Sequence, residues 1–159
     1  MRNAITLCVL CCLTLPPAFA AGQTAPTTDR ADISPAYRAM ANEDIDQAVR
    51  YLLAAQNEDG GWGLPGSHPA ITALVLKCLL QHPDYNADSP PVAKGLESLL
   101  LHVQNDGGIY HPQIGQGNYT TSVALMTLLA ADQPRFKPAI QGAVNYLAGI
   151  QITAGSQTP

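Results

Sequence analysis

Four histidines, one cysteine beyond the first twenty residues and a scatter of carboxylates are the side chains that could carry chemistry in these 159 residues. His68 and His111 hold similar places, each in a loop ahead of an apolar run, so they are expected at one cavity mouth. Two histidines fall short of the three or four convergent ligands that zinc needs, and His82 and His102 lie elsewhere in the sequence, so no metal site is expected. The loop from Tyr110 to Tyr119 also carries His111 and Asn118, which makes His68, His111 and Tyr119 the candidate ligand loop, with a plain solvent-exposed turn as its alternative. Ser/His/Asp signatures and paired catalytic carboxylates are lacking. Asp44 and Asp46 are read as acidic residues at a helix start, where they complement the dipole. Gly60-Gly61 and Gly107-Gly108 lack the Lys-Ser/Thr of a phosphate-binding loop. Cys78 sits on an apolar helical face, as a buried inert thiol does. Asn118-Tyr119-Thr120 has the form of a glycosylation acceptor but reads as a helix start. No catalytic residue and no cofactor are therefore expected.

The elements that position these residues come from an internal repeat. Ala48–Gln56, Gly95–Gln104 and Gly142–Gln151 align, with their terminal glutamines spaced 48 and then 47 apart. Gln56 is followed by Gly60, Gly61 and Trp62, and Gln104 by Gly107, Gly108 and Tyr110. Each turn leads into a second apolar segment, Thr72–Leu80 or Thr121–Leu129. The first segment of each unit has one apolar stripe (Ile45, Val49, Leu52 and Leu53; then Val92, Leu96, Leu99, Leu100 and Val103), so it is expected on the outside. The second is apolar nearly all round and is expected to be inner and buried. Asn42 is read as the N-cap of the first outer helix. Paired glycines allow the positive φ at which a helix ends. Gln56 can then reach backbone groups at a neighbouring helix end, with Trp62 or Tyr110 stacked over the junction, which describes a structural staple.

These residues resemble the QW repeat of the squalene cyclase and prenyltransferase superfamily. Tyr51-Leu52, Gln56 and Gly60-Gly61-Trp62 match its pattern. Lys94-Gly95, Leu99-Leu100 and Gln104 follow it with Tyr110 standing for Trp, and Gly142, Tyr146-Leu147 and Gln151 begin a third copy. The resemblance runs from Glu43 to Gln151. It implies an all-α fold of tandem antiparallel helical hairpins forming part of an α/α toroid, with inner helices around a central cavity. It does not extend to the superfamily's chemistry. The chain has no Asp-x-Asp-Asp, no Asp/Cys/His zinc set and no Gly-Cys-Gly-Glu-Gln.

Apolar residues make up 47% of the chain and charged ones 13%, with a net charge of −4. That suits a packed core and argues against a nucleic-acid partner. Arg2, the apolar run Ala4–Leu15, Pro16-Pro17 and Ala18-Phe19-Ala20 form a signal peptide, expected to be cleaved after residue 20. Twelve apolar residues are too few to cross ~30 Å of hydrocarbon, so no span is expected in the mature chain. Residues 21–36 read as a flexible lead-in, 37–151 as two and a half repeat units and 152–159 as a tail. Two hairpins leave inner helices without neighbours, and so with apolar surface to cover. The expectation is an exported toroid-type domain, non-catalytic as it stands, binding a partner, a second copy or a hydrophobic ligand. The alternative is a fragment of a terpene cyclase or prenyltransferase-like enzyme whose catalytic repeats lie beyond residue 159.

Overall fold

The computed structural model describes residues 33–64 and 68–151. The segment read as a signal peptide, most of the expected lead-in and the tail lie outside them. The chain divides into two units, 1–38 and 39–159. The fold is all-helical: α1 (Pro35–Ala54), α2 (Pro69–Gln81), α3 (Pro90–Leu100), α4 (Gly117–Ala131), a short 3-10 turn (Pro134–Phe136) and α5 (Lys137–Gly149). Among the described residues the only β pairing is a single antiparallel bridge between Val103 and Ile109. No described helix is long and apolar enough to cross a membrane.

Proline sets several of the starts. It stands in the first turn of α2, α3, the 3-10 turn and α5, where its fixed φ suits the helix and its missing N–H costs nothing. The first helix begins in the same way, at Ser34-Pro35, with Ser34 Oγ accepting from the Tyr37 N–H at 3.4 Å. Asn42 is therefore inside α1 and not its N-cap, and Asp44 and Asp46 sit in mid-helix. The Ser-Pro pair was the available signal.

Burial is greatest in the three middle helices, and outer helix α3 shares it with five buried residues. Seven residues are buried in each of α2 and α4, against one each in α1 (Val49) and α5 (Ala143). Leu76 and Leu79 of α2, Val92, Leu96 and Leu99 of α3 and Leu128 of α4 form a fully buried core with Ile109. Each such side chain contributes about 1.5–3 kcal/mol by leaving water. The main packing runs between α2 and α4, α2 and α3, and α4 and α5. Thus the two inner helices pack on each other, and each packs on the outer helix that follows it.

The inner helices are not covered all round, as the sequence suggested. α2 exposes Ile71 (41%), Leu74 (44%) and Cys78, and α4 exposes Tyr119 (51%), Met126 (53%) and Leu129 (56%). Each set lies on one helical stripe. An inner helix is covered only where another stands beside it, and each of these has one inner neighbour among the described residues. Cys78 is accordingly an exposed thiol and not a buried one.

Candidate functional site

The two glycine turns match bond for bond. In the first, the Asn57 N–H donates to Gly61 O (2.9 Å) and the Gly60 N–H to Asn57 O (3.0 Å). Asp59 Oδ1 accepts from Gly61 N (2.9 Å), and Thr72 Oγ1 accepts from Trp62 N (3.0 Å). In the second, Gln104 N donates to Gly108 O (2.8 Å) and Gly107 N to Gln104 O (3.0 Å). Asp106 Oδ1 accepts from Gly108 N (2.9 Å), and Thr121 Oγ1 accepts from Ile109 N (2.9 Å). Gln104 therefore takes the place of Asn57 and not of Gln56, and Ile109 takes the place of Trp62. The sequence register was one residue off. The side chains agree: Asn57 Nδ2 donates to Gly63 O and Gln104 Nε2 to Tyr110 O, both at 2.9 Å.

Gln56 does something no residue does in the second turn. Its Nε2 donates to Gly60 O (2.9 Å) and to Pro91 O in the first turn of α3 (2.8 Å), tying one repeat to the next. Gln104 bonds only within its own turn, to His102 O and Tyr110 O. We expect Gln56→Ala to cost about 1–2 kcal/mol, two partly buried hydrogen bonds at the usual net value, read by urea denaturation. An unchanged midpoint would remove the staple account. Gln151 is exposed at the end of the described residues.

Trp62 is 3% exposed and its Nε1 donates to Leu52 O at the end of α1 (2.6 Å). Tyr110 is half-buried and does not replace it. Its ring packs on Tyr146 of α5, with centroids 5.6 Å apart, and its hydroxyl donates to Asp106 (2.7 Å). That hydrogen bond, chiefly, raises the Tyr110 phenol to about 12, so it remains a donor throughout the neutral range.

The three residues of the candidate ligand loop separate. His68 caps α2, its Nδ1 accepting from Ala70 N (3.3 Å), and Thr120 Oγ1 stands 3.2 Å from Nδ1 and 3.3 Å from Nε2. Tyr119 meets the same ring edge-on at 6.2 Å. His111 lies instead against His102, at 6.1 Å between centroids. The Val103–Ile109 bridge folds the chain back so that residues 102 and 110–111 become neighbours. Carrying the Thr72–Thr121 match backwards sets His68 opposite Gly117, six residues past His111, because the second loop is longer.

Burial holds His102 below its ordinary value. The charge of His111 adds to this and Asp59 partly opposes it. A histidine harder to protonate when folded leaves the unfolded chain binding more protons below about pH 6.5, so this contribution to stability declines as pH falls through that range. Melting temperature followed from pH 7.5 to 5 should fall less steeply in His102→Gln.

One feature escaped the sequence reading. A cleft of about 600 Å³ opens between α1 and α2, lined by Ile45, Val49 and Leu52 on one side and Cys78 and His82 on the other. At its rim His82 Nε2 stands 3.2 Å from Asp46 Oδ1, while Nδ1 accepts from Asp84 N. The i, i+4 spacing of Cys78 and His82 at the end of an apolar helix was the only trace of it.

No family model and no solved structure matches this sequence. A curated protein does: the copalyl diphosphate synthase of Streptomyces cyslabdanicus is 29% identical over 95 residues. The match takes in 58% of this chain, which spans only 15% of that protein's length. The chain is thus similar, over part of its length, to a terpene cyclase.

Proposed function

We propose that this chain is an exported, terpene-cyclase-like helical repeat domain, an arc of an α/α toroid, that works by binding and not by catalysis. The observation that carries this reading is the pair of exposed apolar stripes on the inner helices, Ile71, Leu74 and Cys78 on α2 and Tyr119, Met126 and Leu129 on α4. Apolar faces left open on a rigid scaffold mark ligand or partner sites. The sequence supplies no acidic motif beside them. Incubating the purified protein with squalene or polyprenyl diphosphates should yield no product. Turnover would end this reading. N-terminal sequencing of the secreted protein should begin at Ala21.

The partial similarity to copalyl diphosphate synthase favours a second reading, in which these repeats form one wall of a larger cyclase-like enzyme. Transcript sequence continuing in frame past codon 159 into further repeats with an Asp-rich motif would select it.

A further inference from the structure

The exposed face of α2 is the face that α4, one repeat later, buries. Thr72 and Thr121 hold equivalent places, and the same offset carries Thr120, Val123 and Thr127 of α4 onto Ile71, Leu74 and Cys78 of α2. In α4 these three are 0%, 8% and 0% exposed. Thr127 donates to Ala73 O of α2 at 2.8 Å, and Thr120 meets His68. The counterparts on α2 face solvent. Helix α1 is less covered than its counterpart too, chiefly at Ile45. Ile45, Val49 and Leu52 correspond to Val92, Leu96 and Leu99 of α3, which are all 0% exposed, in the helix that packs on α2. Ile45 is 51% exposed and Leu52 half-buried, whereas Val49 is 8% exposed; all three line the cleft that contains Cys78. Both walls are thus surfaces that an inner helix covers elsewhere in the same molecule.

We propose that the cleft between α1 and α2 is a docking groove for one further apolar helix of the α2 type, supplied by a partner protein. The continuity of the α2–α4 and α2–α3 interfaces defines the occupant: about thirteen residues, the length of α2, with small side chains where α2 presents Ala70 and Ala73 to its neighbours. The exposed carboxylates of Asp46 and Asp84 at the rim favour a basic flank. A second copy does not fit. Each inner helix already carries an outer helix, α3 on α2 and α5 on α4, in the position that α1 would have to share. This deepens the binding role proposed above and rests on it, but fails separately, because product formation tests that role whereas the groove has its own reporter in Cys78.

The experiment uses the full chain and a synthetic peptide of residues 69–81 that carries Cys78→Ala, with added flanking lysines. The rate of Cys78 alkylation by iodoacetamide is followed by mass spectrometry of the fragment that contains it. At ten times the peptide's Kd, mass action slows the reaction about tenfold. Ile45→Asp and Leu74→Asp, both at exposed positions and checked by circular dichroism, should abolish the protection. Met126→Asp, on the exposed stripe of α4, should retain it. An unchanged Cys78 rate at saturating peptide, or protection surviving in Ile45→Asp, would overturn the proposal. So would Cys78 protection without peptide in a chain that sediments as a dimer, since the occupant would then be a second copy.

Discussion

Trp62→Ala lowers the unfolding free energy by about 3–5 kcal/mol, the cost of deleting a large buried aromatic whose site cannot collapse. The indole is 3% exposed, and Gly95 of α3 lies so close beneath it that a Cβ there would come within 2.8 Å of the ring. Backbone lines the far side of the site, where Leu52 O accepts from the indole N–H. Removing the ring leaves a cavity and takes away that donor. Tyr110→Ala serves as the control. Tyr110 is half-buried on the flank of α5, and its replacement should cost clearly less in the same urea titration. Equal losses would mean that Tyr110 is the true counterpart of Trp62, and the register read from the hydrogen bonds would be wrong.

That register shows how far the sequence could lead. The all-helical fold and the helix order were legible, because apolar periodicity and first-turn prolines are local signals. The pairing of turn residues was not. Alignment matched Gln with Gln and aromatic with aromatic, whereas the turn is set by Asp59, Gly60 and Thr72 and by Asp106, Gly107 and Thr121. The outer helix α3 stops at Leu100, and the chain then straightens into the Val103–Ile109 bridge, while α1 runs on to Ala54. A chemical identity and a backbone position thus part by one residue. Cys78 and the cleft were illegible for another reason. A helix apolar on all sides does not declare which side lacks a neighbour, and that depends on where the repeats stand in space.

The glycines of the two turns carry the second large effect. Gly60 has φ +88°, and a Cβ added there would lie 2.5 Å from Lys94 O; Gly107 has φ +86°, and its Cβ would lie 2.6 Å from Gly142 O. Each turn therefore rests directly on the backbone of the next outer helix, and backbone cannot rotate aside as a side chain can. Alanine at Gly60 adds strain of about 1–2 kcal/mol for a left-handed conformation, and the clash comes on top of it. Gly115 separates the two terms. It has φ +79° with nothing within 4 Å, so Gly115→Ala meets the backbone strain alone. Gly60→Ala and Gly107→Ala should both fall below Gly115→Ala in denaturation midpoint, and should speed hydrogen exchange in the outer helix each turn touches, α3 for Gly60 and α5 for Gly107. Equal midpoints in all three variants would show that positive φ is all the turns require. The repeats would then be held together by the packing of α2 on α4 and by Gln56, and not by this close approach of backbones.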